Sequence, residues 1–159
     1  YDLILKLTGI DLEANPTREA LFKAAKSHTL LHLTEKDSWS DIFFKIMIEL
    51  VEPWLPSNDL CLINEYPIAV SPLSKPTGGT SKAERFEIYW KNMELCNGCT
   101  ELTDEVTLKK RYQEESQNRI QALKKPHGEP TKLFQSVSRI KNVSGVAVGL
   151  ERLFLALET

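Results

Sequence analysis

The sequence lacks the features that mark membrane proteins, secreted proteins and strongly basic nucleic-acid-binding proteins. Its apolar stretches fall short of the roughly 20 residues that a helix needs to cross a bilayer, and it shows no signal-peptide pattern. The net charge of −2 provides no overall attraction to nucleic acid or to a membrane, although a local basic patch is compatible with it. The 159 residues, 42% apolar and 26% charged, predict one globular, cytoplasmic domain with a sizeable core. Because Tyr1 lies in an apolar segment and is not Met, we expect a piece of a longer protein.

Cysteine and histidine are also scarce. Cys96 and Cys99 form a single C-x-x-C pair, and Cys61 stands apart. A four-ligand zinc site needs a second pair, and His127 is the only histidine after residue 32. We therefore favour small buried or strand cysteines in a reducing cytosol over a metal or redox centre.

The remaining patterns predict helices first and then mostly strands. Asn15-Pro16-Thr17 and Asp37-Ser38 are helix starts, and two strands at about 84–90 and 93–99 flank a Lys91-Asn92 turn. Helices are expected after Asp104 and Thr131, and a Gly-bounded strand at 145–150 leads into a closing helix. This order predicts an α+β fold with an antiparallel sheet, because alternating βαβ units are absent from it.

The predicted hairpin places two acidic residues on one face. With a two-residue turn, Glu87 opposes Cys96 and lies diagonal to Glu94, at a separation of about 7–8 Å. Mg²⁺ favours one or two carboxylates together with phosphate oxygens, so a metal–nucleotide site is one interpretation. A solvated polar face is the commoner alternative. The predicted core face carries the apolar residues Phe86, Ile88, Trp90, Met93 and Leu95.

Two further segments carry polar groups or glycines suited to a ligand. Asn97 falls on the core face unless a bulge, which Gly98 permits, turns it toward Glu94. Gly145-Val-Ala-Val-Gly149-Leu-Glu-Arg152 is a Gly-spaced strand that runs into a helix. Its glycines allow a ligand to approach the backbone, and its arginine can hold phosphate or stack on a base. A Gly-edged strand packed against a helix has the same pattern.

Three segments together resemble the lysyl-tRNA synthetases of class II. Residues 83–87 and 93–104 resemble the stretch ERFEL…GxEICNAYxELND, residues 66–75 resemble YPxxxSPLAK, and residues 145–153 resemble motif 3, GxGxGxDRL. Within the family, AERFE, Asn97-Gly98, LTD and Ala147 resemble the paralogous ligases that attach (R)-β-lysine to elongation factor P. The segment Ser71-Pro-Leu-Ser-Lys75 is more similar to the synthetases.

The resemblance implies a class II synthetase-like antiparallel sheet with flanking helices, incomplete because motifs 1 and 2 are absent. It divides the chain into a mainly helical insertion at 1–58 and the motif 3 half of a catalytic core at 59–159. Its implied site residues are grouped by ligand: Glu87 and Glu94 for Mg²⁺ and ATP, Gly149 and the catalytic Arg152 for ATP, and Asn97, Glu101 and Ala147 for lysine.

The implied reaction is ATP-dependent activation of lysine or β-lysine as an adenylate, followed by transfer to a lysine of elongation factor P. Transfer to tRNA(Lys) is the alternative, and a non-catalytic interaction module on the same fold is the alternative of another class. The family further implies a homodimer for the full-length protein, and it implies that this piece is inactive alone.

Overall fold

The computed structural model describes residues 1–56 and 59–158. Three helices come first: α1 (Asp2–Thr8), α2 (Arg18–Ala25) and α3 (Trp39–Ile46), which continues through a π-helical turn, Met47–Val51, and a 3-10 turn, Glu52–Trp54. Gly9 ends α1 with a left-handed φ of 73°. Within the predicted helix start, Thr17 caps α2 by accepting a hydrogen bond from the Ala20 amide, and Ser38 forms a capping box with Asp41.

Four strands follow and form one antiparallel sheet in the order β1–β2–β3–β4. They are β1 (Cys61–Asn64), β2 (Arg85–Trp90), β3 (Met93–Thr100) and β4 (Ser144–Val148). Helices α4 (Glu105–Gln121) and α5 (Thr131–Val137) lie between β3 and β4, and α6 (Leu150–Glu158) follows β4. The α+β prediction is thus confirmed, and in the described residues no helix has the length and apolarity needed to cross a membrane. The expected boundary at 58/59 falls on residues outside the described ones, and the division into two parts stays a prediction.

The β2–β3 hairpin has the expected turn but a different register beyond it. Lys91 and Asn92 both have positive φ, 50° and 59°, as a tight hairpin turn requires. Tyr89 opposes Glu94 as predicted, but the register then shifts and Glu87 opposes Asn97. The expectation that Glu87 opposes Cys96 was wrong, because β3 contains one extra residue at a bulge.

The register places Cys96 and Cys99 on opposite faces of β3. Cys96 pairs with Ile88, whereas Cys99 pairs with Arg85, and side chains alternate between the two faces. The two thiols therefore cannot share a metal ion or form a disulfide across this strand. In the described part of the chain all three cysteines are free.

The main hydrophobic core lies between the first three helices and the sheet face that carries Glu87 and Tyr89. Residues from both layers join in one cluster: Ile4, Leu21, Ile42, Phe43, Ile46, Val51, Tyr66 and Tyr89 are among its buried members. Glu87 and Tyr89 are buried, whereas Phe86, Ile88 and Trp90 on the opposite face are only half-buried. The prediction of the core face was therefore wrong for Phe86, Ile88 and Trp90, although Leu95 is buried as expected, because the first three helices cover the face with the polar alternation.

A second, smaller cluster holds α4 against α5. Leu102, Leu108, Phe134 and Val137 are buried in it, and the rings of Tyr112 and Phe134 meet edge to face at 5.7 Å. These contacts fix α4 beside the end of β3, so that Arg111 of α4 reaches the backbone oxygens of Ser71, Pro72 and Ser74.

Candidate functional site

The bulge in β3 turns Asn97 onto the same face as Glu94. The Asn97 side-chain amide donates a 3.0 Å hydrogen bond to the Glu94 carboxylate. Ala147 of β4 pairs directly with Asn97, so its methyl group lies on this face too. The expectation that a bulge joins Asn97 to Glu94 is confirmed, but the bulge lies at Leu95 and not at Gly98, which pairs regularly with Phe86. Three of the expected site residues lie together.

Arg152 reaches this group from the first turn of α6. Its Nη1 donates to the backbone oxygen of Glu94 at 2.8 Å and to the Glu94 carboxylate at 3.2 Å. Its aliphatic stem lies over Gly149, where a Cβ would come within 3.3 Å of Arg152 Cδ. The missing side chain at Gly149 therefore allows the arginine to fold back toward Glu94. The Arg152 side chain is 54% exposed, which leaves it accessible to an anionic ligand.

Glu101 lies at the far end of the same face. A Cβ built at Gly145, which pairs with Cys99 two residues before Glu101, would come within 2.8 Å of Glu101 Oε1. Since Gly145 and Ala147 are two residues apart on one strand, the Glu101 carboxylate occupies the face that carries Ala147 and Asn97. This carboxylate is half-buried, and within residues 1–56 and 59–158 no hydrogen bond or ion pair engages it. An unmatched acid in such a position is suited to a cationic ligand group.

Glu87 has a different environment from the other site residues. It is 6% exposed, and its carboxylate accepts hydrogen bonds from Tyr66 at 2.5 Å, from Tyr89 at 2.8 Å and from Arg85 at 2.5 Å. Burial, reinforced by the hydrogen bond to Glu87, raises the pKa of both tyrosine hydroxyls and keeps them protonated. The alternative of a solvated polar face is therefore wrong for Glu87.

The three donors to Glu87 were not among the predicted site residues. The alternation Arg85-x-Glu87-x-Tyr89 on one strand was the available signal for two of them. Tyr66 arrives from the connection after β1, and its ring also lies 4.7 Å from the Arg85 guanidinium. Only the tertiary fold brings it to the carboxylate.

The carboxylates retain room for a cation. A carboxylate offers about four acceptor positions. Glu94 uses two, for Asn97 and Arg152, and Glu87 uses three. Across the described residues no group of three or more His, Cys, Asp or Glu side chains could hold a metal ion. The two carboxylates therefore fit Mg²⁺ only when phosphate oxygens and water complete its coordination.

Comparison with known proteins identifies the family. The model of the tRNA synthetases class II (D, K and N) matches residues 41–159, which contain all four strands and every site residue above. The chain belongs to this family. Its antiparallel sheet with flanking helices is a class II synthetase domain.

Two groups of ligases are among the curated relatives of this class II chain. It is 29% identical to the elongation factor P–(R)-beta-lysine ligase of Baumannia cicadellinicola, over 98% of the chain and 48% of the relative. The lysine–tRNA ligase of Mycoplasma genitalium is 28% identical, over 98% of the chain and 32% of the relative. The elongation factor P–(R)-beta-lysine ligase of Histophilus somni is 31% identical, over 92% of the chain and 46% of the relative. The chain thus spans about half the length of the first group and about a third of the second. The names of these relatives all describe ligases that act on lysine or (R)-beta-lysine.

Proposed function

We propose that this chain contributes the amino-acid pocket and part of the ATP site of an enzyme that activates lysine or β-lysine. The observation that carries the proposal is the unpaired, half-buried Glu101 carboxylate on the face that holds Asn97 and Ala147. In this proposal a cationic side chain at Glu101 forms a charge-assisted hydrogen bond, and Asn97 binds the backbone end of the same substrate. ATP is bound at the other end, beside Glu94 and Arg152.

The reaction is adenylation. A carboxylate oxygen of the amino acid attacks the α-phosphorus of ATP, a new C–O–P linkage forms, the Pα–O–Pβ bond breaks and pyrophosphate leaves. Arg152 binds the negative charge of the nucleotide, and Asn97 and Glu101 hold the amino acid in line for attack. Glu87 and Glu94 would hold Mg²⁺, which supplies positive charge to the phosphates when bound.

The acceptor we propose is a lysine side chain of elongation factor P. Its amine attacks the acyl carbon, an amide forms and AMP leaves. Support comes from Ala147 and the other ligase-like motifs, and from the curated relatives of that name. Ala147 pairs with Asn97 across β3 and β4, and in this proposal its methyl group shapes the space for the substrate backbone.

One exposed basic surface is an argument for tRNA(Lys) as a second candidate acceptor. Five cationic side chains near α5 are exposed, and none forms an ion pair with another described residue: Lys124, Lys125, Lys132, Arg139 and Lys141. Glu129 is the only acidic residue in the segment 119–141. Unpaired lysine and arginine side chains bind phosphate backbones with strong salt dependence.

One experiment separates these functions. The full-length gene product is assayed for amino-acid-dependent pyrophosphate exchange with lysine, β-lysine, ornithine and arginine, and then for transfer of labelled amino acid to elongation factor P and to tRNA(Lys). We expect exchange with lysine or β-lysine and transfer to the protein. Transfer to tRNA alone supports the second acceptor, and absence of exchange with every amino acid supports a non-catalytic module. Sedimentation of the same protein tests the homodimer that we propose for it.

A further inference from the structure

Glu101 lies beyond the regular strand pairs that hold the rest of the site. The last residue of β3 that pairs with β2 is Cys99, and the last that pairs with β4 is Thr100. On the β4 side, the Glu101 amide donates to the Val143 oxygen at 2.9 Å. On the β2 side, a different segment must hold the backbone from which the Glu101 carboxylate extends.

The segment 73–75 replaces β2 as the neighbour of β3 at this point. Its central residue, Ser74, forms an antiparallel bridge with Glu101. Two backbone hydrogen bonds of 2.8 Å flank the bridge, from the amide of Leu102 to the oxygen of Leu73 and from the amide of Lys75 to the oxygen of Thr100. These are the contacts of a short antiparallel strand pair. The backbone position of Glu101 therefore depends on where the segment 73–75 lies.

Arg111 of α4 binds the other edge of the same stretch of chain. Its Nη1 donates to the backbone oxygens of Ser71, Pro72 and Ser74 at 3.3, 3.1 and 2.8 Å. The oxygen of Leu73, which lies between the last two in sequence, points the opposite way and accepts a hydrogen bond from the end of β3. The guanidinium group thus takes the place that a further strand would occupy beside the segment 73–75.

The described contacts of Arg111 all serve this loop. Within residues 1–56 and 59–158 its hydrogen bonds go to the three loop oxygens, and no carboxylate forms an ion pair with it. Burial lowers the pKa of its guanidinium group. Arg85 also binds this loop, at the Val70 oxygen, but it pairs with Glu87 as well. Arg111 is therefore the loop anchor that can be removed without unpairing Glu87.

We infer that Arg111 is a positioning residue for recognition of the amino acid, because it fixes the segment 73–75 and, through it, the Glu101 carboxylate. The inference rests on the proposed function, in which Glu101 binds the side-chain ammonium group. Asn97 pairs with both β2 and β4, so it keeps its place when Arg111 is lost. The separation between the two ends of the amino-acid pocket then ceases to be fixed, whereas Glu94 and Arg152 at the ATP end are unaffected.

The first test measures the KM for lysine and the KM for ATP separately in pyrophosphate exchange by the full-length gene product. Arg111→Met should raise the KM for lysine about tenfold, the effect of losing one hydrogen bond, and should change the KM for ATP by less than about twofold. Arg111→Lys should give an intermediate value, because an ammonium group can replace the single nitrogen that makes all three bonds. Arg119→Met is the matched control on the same helix, since Arg119 donates to the Lys125 oxygen at 3.2 Å and should leave both KM values unchanged.

A double-mutant cycle separates positioning from a general structural effect. In a Glu101→Gln background, Arg111→Met should change the KM for lysine by less than about twofold, because two residues that act through one contact are not additive. An equal increase in both backgrounds, or an equal increase in the KM for ATP, overturns the inference.

A further measurement does not require activity. Hydrogen–deuterium exchange of the full-length protein should be faster at the Lys75 and Leu102 amides in Arg111→Met than in the wild type, with the β2–β3 hairpin unchanged. Arg111→Lys supports the same comparison if Arg111→Met does not fold. Unchanged exchange at these amides overturns the inference. Faster exchange, in a protein whose lysine dependence is unaltered by Glu101→Gln, would instead overturn the proposed function.

Discussion

The substitution Glu101→Gln removes the charge on which lysine specificity is proposed to depend. The carboxylate is half-buried and engages no other described side chain, so glutamine loses no internal ion pair. Its whole effect should therefore fall on the ligand. Loss of one partner of a desolvated charged hydrogen bond is unfavourable by about 2–3 kcal/mol, which corresponds to a decrease in kcat/KM for lysine of roughly 30- to 150-fold.

Gly145→Ala tests the same contact from the opposite side. The added methyl would come within 2.8 Å of Glu101 Oε1, the mobile end of a side chain, so the carboxylate must move while the fold is retained. We expect lower activity with lysine and little change in the unfolding midpoint. Gly128→Ala is the matched control, because nothing lies within 4 Å of a Cβ at that position.

The assay is lysine-dependent pyrophosphate exchange by the full-length gene product, with urea unfolding of each variant measured in parallel. Glu105→Gln, which removes a carboxylate that pairs with Lys109 at 2.6 Å, controls for the loss of a nearby negative charge. Unchanged lysine dependence in Glu101→Gln would refute the assignment of Glu101, whatever the other variants do.

Three further outcomes are expected. Ala147→Gly should raise activity with α-lysine relative to β-lysine, because it removes the methyl beside Asn97; exchange with each isomer measures the ratio, and a fixed ratio contradicts the ligase assignment. Tyr66→Phe should destabilise the chain by about 1–2 kcal/mol in urea unfolding at pH 8. The pKa of Tyr66 is higher in the folded chain than in the unfolded one, so its protonated hydroxyl stabilises the fold below about pH 10, and this stabilisation is lost as the pH rises. The wild type should therefore lose more stability than Tyr66→Phe between about pH 8 and 10.5. The 159-residue chain alone should show no pyrophosphate exchange and no micromolar ATP binding by calorimetry, because such sites depend on complete positioning of the phosphates. Its exposed Phe154 and Leu157 should promote self-association.

Local patterns were sufficient to predict the elements and the family. The Lys91-Asn92 turn, the cap at Ser38 and the Gly-bounded strand β4 depend on neighbouring residues, and their positions follow from local backbone preferences. The motif residues were recognisable because each motif is a continuous stretch of the sequence. Alternation along a strand also predicts which residues share a face of the sheet. That prediction holds only as far as the first bulge.

The tertiary structure decided the register, the buried face and the state of each acid. A bulge in β3, which alternation of residue types does not reveal, turned Asn97 toward Glu94 and moved Cys96 away from Glu87. Packing of the helices onto the polar face buried Glu87 and brought Tyr66 to it from another segment, while Glu101 stayed unpaired beside Gly145. Sequence alone could not separate these acids, because burial and hydrogen-bond partners are set by contacts between residues far apart in the chain.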